Sequence, residues 1–404
     1  MISIPINCMG CTACVTSCPK QCIKMKNSIE GFLYPSVEQD NCINCGICEK
    51  VCPVLSKVET HSKMKAFAMK NKKASERTKS ASGGIFPIIA QLVVKKNGVV
   101  FGAAYNQEFE VRHIKVEKTK DIDRLQSAKY TQSMIENIFV EVEKALLENR
   151  WVVFSGTPCQ CTGLKAYLKK EYDKLIIVDL ICHGVPSPKV WKAYVKWRCN
   201  QENNGNLPEQ INMRSKYSGW SKYGYSTEFN YGNGKISRIP NREDPFMKAF
   251  IGNICLRKSC SRCQEKGVVR CSDFTLGDYW GVWNQHPEFD DNKGTSIVFT
   301  HSEKAIEILN EIKPQVECTE VDIEEAIKEN PSMIASSKEH PKRSQFLKEI
   351  SDDNFKKIVD KYFPQATEYR IADWRYLRVD LVEILRGLCR GCVGRQSRSE
   401  SKES

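Results

Sequence analysis

Two cysteine runs with the same internal spacing constrain the fold of this chain more than any other sequence feature. In each run, three cysteines are separated by two residues each, a fourth follows after three more residues, and a proline comes directly after it. The second run repeats the first 34 positions later, as from Cys8 to Cys42. Such a repeat indicates an internal duplication, in which two similar loops each present four thiols. The eight cysteines are Cys8, Cys11, Cys14 and Cys18, followed by Cys42, Cys45, Cys48 and Cys52.

This spacing predicts two [4Fe-4S] clusters with crossed ligands. The three closely spaced thiolates of one run surround one cluster, while the fourth thiolate points away and binds the other cluster. Zinc is the alternative metal, but zinc sites favour pairs of cysteines or mixtures of cysteine and histidine. The expected ligand sets are Cys8, Cys11, Cys14 and Cys52 for one cluster, and Cys42, Cys45, Cys48 and Cys18 for the other. Residues 23–40, between the runs, predict two short strands joined by a turn at Glu30 and Gly31.

The overall composition is typical of a folded protein and excludes a disordered chain. The chain has 404 residues and 20 cysteines, with 41% hydrophobic and 27% charged residues. No apolar run approaches the roughly 20 residues that a membrane-spanning helix needs, and the first residues lack the basic start and apolar core of a signal peptide. We therefore expect a cytoplasmic protein whose reduced cysteines serve as metal ligands rather than disulfides.

The net charge of +12, from 61 Lys and Arg against 49 Asp and Glu, indicates an acidic partner. No recognised nucleic-acid-binding module accompanies this charge, so we expect no nucleic-acid partner. A redox subunit or an acidic, ferredoxin-like electron carrier is the partner that fits the two clusters, because opposite charge accelerates such encounters. Peripheral contact with a membrane surface, through an amphipathic helix near the C-terminus, is the alternative.

The residues after the cysteine runs alternate strands with helices, and three turns in this body carry candidate binding residues. Residues 82–84 (Ser-Gly-Gly) precede an apolar helix, where free backbone N–H groups could bind an anion. Two buried strands end in the turns at residues 155–163 and 182–184, and neither turn matches GxxxxGK[ST] or GxGxxG. Ligands of α/β proteins bind at the carboxyl ends of neighbouring strands, so we expect these two turns to lie side by side.

A second group of cysteines within residues 255–271 indicates another metal site. With two clusters upstream, a third [4Fe-4S] cluster is favoured over a four-cysteine zinc site, although zinc tolerates loose spacing. The fourth ligand is open between Cys271, Cys182 and Cys159. The cysteines of this group are Cys255, Cys260, Cys263 and Cys271.

Several short motifs in a fixed order resemble one protein family. They are Ser-Gly-Gly-Ile-Phe at 82–86, Ser-Ala-Lys-Tyr-Thr-Gln-Ser at 127–133, Gly-Thr-Pro-Cys-Gln at 156–160, Cys-His-Gly-Val-Pro-Ser at 182–187 and Ser-Asp-Phe-Thr-Leu-Gly-Asp-Tyr-Trp-Gly at 272–281. Together with the cysteine runs, they resemble the beta subunits of coenzyme F420 hydrogenases and dehydrogenases over about residues 1–300. The resemblance implies a domain that binds FAD and a [4Fe-4S] cluster. It also implies electron transfer between iron-sulfur carriers and a deazaflavin or another organic acceptor.

Carried onto this sequence, the resemblance implies particular ligands. It implies third-cluster ligands at Cys255, Cys260 and Cys263. For catalysis we single out Lys129, to stabilise negative charge on the reduced flavin, and His183, to donate a proton to the substrate. The implied FAD contacts are Ser82, Gly83, Gly84, Ser127, Lys129, Tyr130, Gln132, Thr157, Cys159 and Gln160.

The predicted fold class is α+β, in three parts. A dicluster ferredoxin-like domain covers residues 1–60, a mixed α/β flavin-binding domain covers 61–300, and a helical region with a disordered basic tail covers 301–404. The predicted function is an oxidoreductase that passes electrons between a ferredoxin-like carrier and a small organic substrate or coenzyme, through FAD and three [4Fe-4S] clusters. The alternatives are a non-catalytic electron-transfer subunit of a larger redox complex, and a sugar- or nucleotide-modifying enzyme with structural zinc at residues 255–271.

Overall fold

The computed structural model describes residues 4–61, 64–221, 224–232 and 234–364. The described residues up to Tyr362 belong to one compact unit. The amphipathic helix and basic tail that the sequence predicts beyond residue 371 lie outside the described residues.

The N-terminal part is a small unit built around an antiparallel hairpin. Helix α1 (Ala13–Thr16) precedes strands β1 (Ile23–Asn27) and β2 (Leu33–Val37), and helix α2 (Ile47–Lys50) follows them. Between the strands, Gly31 has φ +81°, a left-handed conformation that favours glycine. The two helices begin 34 positions apart, so the duplication in the sequence is also a duplication of local structure.

The other strands of the described residues form a large mixed sheet and a small antiparallel sheet. They are β3 (Lys65–Asn71), β4 (Val99–Tyr105), β5 (Val111–Val116), β6 (Val152–Ser155), β7 (Leu175–Leu180), β8 (Gln210–Ser215), β9 (Ser226–Asn230), β10 (Ile236–Pro240), β11 (Phe274–Asp278), β12 (Ser296–Thr300) and β13 (Val316–Val321). The large sheet has the order β13-β3-β12-β11-β7-β6-β4-β5, and the small one β10-β9-β8. In the large sheet, β4, β6, β7 and β11 pair with one another in parallel, and every other pair of neighbouring strands is antiparallel.

Helices connect these strands, and several begin with a proline, which has no N–H to lose in the first turn. The α-helices after α2 are α3 (Ala74–Lys79), α4 (Phe86–Lys95), α5 (Ile138–Leu147), α6 (Pro158–Leu168), α7 (Pro188–Asn203), α8 (Pro245–Ile251), α9 (Val282–Gln285), α10 (Glu303–Ile312), α11 (Ile323–Lys328), α12 (Arg343–Glu349) and α13 (Phe355–Tyr362). Short 3-10 helices occupy Gln39–Asn41, Thr119–Leu125, Lys258–Arg262, Pro287–Phe289, Lys313–Gln315 and Pro331–Met333. Across the described part of the chain, none of the helices has both the length and the apolar character needed to cross a bilayer.

Apolar helices cover both faces of the large sheet. Helices α4 and α10 pack on one face, where Ile89 and Ile312 are fully buried. Helices α5 and α6 pack on the other face, where Phe139 and Leu164 are fully buried, and Ala13 of α1 joins this second layer. The small N-terminal hairpin unit and the mixed α/β body confirm the predicted fold class.

The boundary predicted near residue 300 falls between two strands of one sheet. β12 ends at Thr300, and β13 pairs with the opposite edge of β3. The buried ends of β13, Val316 and Val321, continue the apolar core of the body. Residues 301–362 therefore belong to the same compact unit as the body, because strand pairing with β3 recruits a segment that the sequence assigned to a helical region.

Candidate metal and cofactor sites

Four cysteines, three from the first run and one from the second, lie together beside α1; we call them the first ring. Burial, with the neighbouring thiols Cys8 and Cys52, raises the pKa of Cys14 to about 12. Burial also raises the pKa of Cys11, which has Cys14 and Cys8 beside it. Such thiols become ligands when a metal cation compensates the thiolate charge. The structure thus brings Cys8, Cys11, Cys14 and Cys52 near one another, as crossed ligation predicts, and Cys48 of the second run also lies near Cys14 and Cys52.

The second ring lies at the surface of the N-terminal part. Its four cysteines line one cavity together with Cys22, whose Sγ is 3.4 Å from the Sγ of Cys18. Cys22 is buried and packs beside Ile23, whereas Cys45 is exposed. The ring therefore opens to solvent on one side. Its members are Cys18, Cys42, Cys45 and Cys48.

A third ring of cysteines lines a cavity at the carboxyl ends of the parallel strands. Burial, followed by the neighbouring thiols, raises the pKa of three of these cysteines to about 12, and burial also raises the pKa of the fourth. The members of the third ring are Cys159, Cys182, Cys260 and Cys263.

The large sheet explains how this ring forms. Cys159 follows β6 and Cys182 follows β7, and these strands pair in parallel, so both thiols lie at the same edge of the sheet. This places the two turns side by side, as the sequence predicts. The 3-10 helix at Lys258–Arg262 contributes Cys260, whose Sγ accepts a hydrogen bond from the backbone N–H of Val185 at 3.4 Å.

Cys255 and Cys271, which the sequence places with Cys260 and Cys263, do not line this cavity. Cys255 is fully buried, and its carbonyl accepts a hydrogen bond from the N–H of Ser187. Cys271 packs in the apolar layer that contains α5 and α6, with its Sγ 3.5 Å from Thr162 Oγ1. Of the four cysteines of residues 255–271, Cys260 and Cys263 therefore line the cavity, and Cys255 and Cys271 do not.

The first and third rings meet across helix α6. A Cβ built on Gly163 would lie 2.6 Å from the Cβ of Cys11 and 3.0 Å from its Sγ. Cys159 lies one turn earlier on the same helix, and its thiol is among the charges that raise the pKa of Cys11. The glycine therefore allows the N-terminal part to approach the third ring closely.

We expect Gly163→Ala to destabilise the protein and to release iron from the first ring. Alanine normally stabilises a helix relative to glycine by roughly 0.5–1 kcal/mol, but overpacking against Cys11 costs about 1–3 kcal/mol. Thermal unfolding and iron analysis measure the effect. Gly102→Ala is the control, because a Cβ there would make only ordinary contact, at 3.5 Å from Leu125. Equal stability and iron content in both variants would contradict the close approach.

The Ser-Gly-Gly turn at residues 82–84 packs against the large sheet, and the N–H of Gly83 is bonded within the protein. The N–H of Gly83 donates to Ser296 Oγ at 2.9 Å, and a Cβ at Gly83 would lie 2.4 Å from the carbonyl oxygen of Met69. The carbonyl of Gly84 accepts a hydrogen bond from Asn71. These contacts account for the glycines by close packing between β3 and β12.

The loop at residues 126–131 is attached to strand β8. Ser127 Oγ donates to Asn212 Oδ1 at 2.8 Å, and Arg214 donates to the hydroxyl of Tyr130 at 3.3 Å. The ammonium of Lys129 donates to the carbonyl of Gln126 at 2.7 Å. Burial lowers the pKa of Lys129 to about 7. Residues 82–84 reach the same end of β8, because the ammonium of Lys216 donates to the carbonyl of Ser82. Two of the predicted FAD segments therefore meet there.

Charged side chains of the loop and of the end of β8 lie in this region, and sequence reasoning missed most of them. Lys216 Nζ donates to the carbonyls of Arg77, Ser82 and Lys293 at 2.6–2.8 Å, and burial lowers its pKa to about 7. Arg214 forms an ion pair with Asp278 at 3.0 Å. One signal for them was present in the sequence. Asn212, Arg214 and Lys216 are spaced two apart, so in a strand their side chains lie on one face. We call Lys129, Arg214 and Lys216 the cation group.

Several buried polar atoms around the cation group have no hydrogen-bond partner among the described residues. They are Arg214 Nε, Gln126 Oε1 and the hydroxyl of Tyr105. Buried polar atoms are rarely left unpaired in proteins, so these three atoms are free to bond to a polar ligand. A polar, anionic cofactor such as FAD fits these atoms and the buried ammonium groups of Lys129 and Lys216.

The remaining predicted FAD residues have other partners. The Gln132 amide donates to the carbonyl of Met9 at 3.4 Å, and its oxygen accepts from Arg257. Thr157 and Gln160 form a capping box at the start of α6. The structure thus brings Ser82, Ser127, Lys129 and Tyr130 to the cation group. Gly83 and Gly84 pack beside the large sheet, and the contacts predicted for Gln132, Thr157, Cys159 and Gln160 lie at the rings or at the helix cap.

His183 lies between the third ring and the loop that carries Lys129. Its Nε2 is 2.6 Å from Asn253 Oδ1, and burial lowers its pKa. Its ring stands edge-on to Phe250 at 5.2 Å, and Phe250 packs against Tyr130 at 4.8 Å. The two predicted catalytic residues are therefore connected through aromatic contacts, without touching each other directly.

The fold and the rings of cysteines define an iron-sulfur protein. Residues 7–55 match the model of the 4Fe-4S dicluster domain, and residues 149–326 match that of the C terminus of the coenzyme F420 hydrogenase/dehydrogenase beta subunit. Over these ranges the chain matches these two family models, which confirms the resemblance seen in its motifs. The first and second rings fall in the former range, and the third ring falls in the latter.

Two curated relatives are oxidoreductase subunits. The F subunit of the F(420)H(2) dehydrogenase of Methanosarcina mazei is 20% identical over 185 residues, which are 43% of this chain and 53% of the relative. The VorC subunit of the ketoisovalerate oxidoreductase of Methanothermobacter marburgensis is 31% identical over 58 residues, 14% of this chain and 73% of the relative. This chain thus spans about half the length of the first relative.

A solved structure resembles the chain at the level of the fold. It is the xenon-derivatised F420-reducing [NiFe] hydrogenase complex from Methanosarcina barkeri, one chain of which has 14% identity and a TM-score of 0.46. The likeness covers 68% of this chain and 91% of the other.

Proposed function

We propose that this protein passes electrons between a carrier protein and a small organic substrate or coenzyme, using three [4Fe-4S] clusters and FAD. The observation that carries the proposal is the contact between the first and third rings at Cys11 and Gly163. When bound, the clusters supply one-electron carriers, and the flavin supplies a centre that exchanges electrons singly or in pairs. The chain contributes by holding these groups in order within one compact unit.

The third ring supports a cluster with a ligand set different from the one expected from the sequence. We assign its ligands to Cys159, Cys182, Cys260 and Cys263, because these four thiols surround one cavity. A cube of iron and sulfide needs thiolates spread around it, and four thiols from separate segments that line one cavity meet this requirement.

The cation group supports binding of FAD at the loop of residues 126–131. Arg214 pairs with Asp278, whereas Lys129 and Lys216 donate to backbone carbonyls and have no carboxylate within ion-pair distance among the described residues, so an anionic cofactor would complement these two buried ammonium groups. Arg214 also packs over the ring of Tyr225 at 4.0 Å, which fixes its orientation. We assign to Lys129 the role of stabilising negative charge on the reduced flavin. The role of His183 as a proton donor stays a prediction.

The affinity for FAD should fall as the pH rises through about 7. Burial lowers the pKa of Lys129 to about 7, so its ammonium is present below that pH and is lost above it. An anionic cofactor binds the ammonium form, and Lys129→Met should therefore bind FAD more weakly at low pH and show a smaller slope. Flavin fluorescence at about pH 6 to 9 measures the affinity. An unchanged slope in the variant would assign the dependence to Lys216, whose pKa burial also lowers to about 7.

The surface around the second ring supports docking of an acidic carrier. Cys45 is exposed there, and Lys20 lines the same cavity. Lys50 and Lys57 are exposed on the adjoining segment. Opposite charge would bring such a carrier to the ring that opens to solvent, and the effect should weaken as salt rises.

Anaerobic purification followed by metal and flavin analysis tests the proposal. We expect about twelve iron atoms per chain, from three four-iron clusters, and about one FAD released by acid. A colourless acid supernatant at full iron occupancy would contradict the flavin. About eight iron atoms with about one zinc would contradict the third cluster and favour structural zinc at residues 255–271.

A non-catalytic subunit of a larger redox complex is the second candidate, because both curated relatives are subunits by name. It predicts full clusters but slow turnover with every small acceptor. Co-purification of a stable second chain would favour it over an independent enzyme.

A further inference from the structure

Arg257 is a buried arginine that stands between two of the rings. Only 1% of its surface is exposed. Its Nε donates to the carbonyl of Cys8, and its Nη2 donates to the carbonyl of Leu33, both at 3.0 Å. The same Nη2 lies 4.0 Å from the Sγ of Cys8 in the first ring. The side chain also lines the cavity of the third ring.

The charge of Arg257 lacks a carboxylate partner within ion-pair distance among the described residues. Its Nη1 donates to the amide oxygen of Gln132 at 2.9 Å, and the ring of Tyr34 covers the guanidinium at 4.1 Å. By contrast, the equally buried Arg343 pairs with both carboxylate oxygens of Glu30. A buried charge is strongly unfavourable unless an opposite charge compensates it. Arg257 therefore requires a source of negative charge other than Asp or Glu.

The thiolates of the two rings supply that negative charge. A [4Fe-4S] cluster held by thiolates is anionic, and its reduction potential depends on net charge and on hydrogen bonds to its sulfurs. Arg257 acts on one ring through Cys8 Sγ. It acts on the other through the cavity that it lines together with Cys260, whose backbone N–H donates to the carbonyl of Arg257 at 3.0 Å. One cation thus influences both cavities.

We infer that Arg257 is the shared electrostatic contact of the first and third clusters and raises the reduction potential of both. The inference rests on the proposed function, since it requires both clusters. Arg257 acts through cluster ligands and not on a substrate, so it is a positioning residue. The second ring lies apart from it, because neither the contacts of Arg257 nor the cavity it lines includes a cysteine of that ring.

The test compares full-length holoprotein variants by their reduction behaviour. Arg257→Gln removes the charge, and Arg257→Lys keeps it. The matched control is the double variant Glu30→Gln with Arg343→Gln, which removes a neutral pair that also ties the N-terminal hairpin to the body. Samples are poised with viologens of known potential, and EPR gives the reduced-to-oxidised ratio of each cluster. A Cys260→Ser background, which lacks the third cluster, identifies the signal of the first.

In Arg257→Gln, we expect the reduced-to-oxidised ratio of the first and third clusters to fall about tenfold at a fixed potential, or about 59 mV for one electron. The ratio of the second cluster should be unchanged. In Arg257→Lys, the ratio of the first and third clusters should fall less than about threefold. Unchanged ratios in Arg257→Gln, an equal loss in Arg257→Lys, or an equal loss in the neutral-pair variant would overturn the inference.

Iron content separates failure of this inference from failure of the proposed function. If the wild-type protein holds fewer than three clusters, the proposed function fails before any variant is compared. If Arg257→Gln does not retain iron, the test depends on Arg257→Lys. A fall in its reduced-to-oxidised ratio of less than about threefold supports the electrostatic role, and a larger fall overturns it.

Discussion

Replacing Cys159 or Cys182 with serine is expected to remove one [4Fe-4S] cluster, about four iron atoms per chain. Each thiol is delivered to the third cavity by the end of a parallel strand, β6 or β7. Serine does not supply the soft thiolate that such clusters require. Iron analysis and EPR of the reduced, anaerobically purified protein measure the loss, and the clusters of the N-terminal part should remain.

The matched controls are Cys255→Ser and Cys271→Ser. Both cysteines are buried, whereas the members of the third ring are partly exposed, and neither lines the cavity. We expect both variants to keep full iron, with at most a loss of stability from placing a hydroxyl in an apolar site. Loss of a cluster in these variants, with retention in Cys159→Ser and Cys182→Ser, would restore the ligand set that the sequence alone favoured.

Replacing Arg214 with glutamine is expected to weaken FAD binding by about ten- to hundredfold. A hydrogen bond to a charged group contributes about 1.5–3 kcal/mol, and each 1.4 kcal/mol is about tenfold in affinity. Arg214 is buried, with an unpaired Nε, so little solvent screens its charge. Titration of flavin-depleted protein with FAD, followed by fluorescence, measures the change.

Arg238→Gln is the control for Arg214→Gln. Arg238 lies on β10 of the same small sheet and pairs with Glu228 at 2.6 Å, but no contact joins it to the loop of residues 126–131 among the described residues. Its replacement should leave FAD affinity within about twofold, because a partly exposed ion pair contributes little. Equal weakening in both variants, or unchanged affinity in a folded Arg214→Gln, would move the cofactor site away from the cation group.

The predicted FAD contacts include motif residues for which packing alone accounts. Gly83 lies where Met69 and Ser296 leave no room for a side chain, so packing accounts for it. Gln132 joins the N-terminal part to the body through Met9. A short motif indicates that a residue type is required at a position. A requirement for packing and a requirement for ligand binding produce the same pattern in a sequence.

The cation group could not be read from the sequence for a different reason. Arg214 and Lys216 lie at the end of β8, in a segment with no recognised motif. Their charges become unusual only through burial, which depends on the loop of residues 126–131 and on the turn near Ser82. Sequence spacing alone does not reveal the burial of a lysine.

The sequence by itself determined the first two rings of this protein, because their ligands lie on short loops whose spacing fixes which thiols can face one cluster. It also determined the alternation of strands and helices that makes the body. Only the tertiary structure decided the third ring, since Cys159, Cys182 and Cys260 come from three separate segments that meet at one sheet edge. It likewise decided that Arg257 lies between two rings, because a contact between distant segments depends on how the N-terminal part packs on the body and not on local spacing.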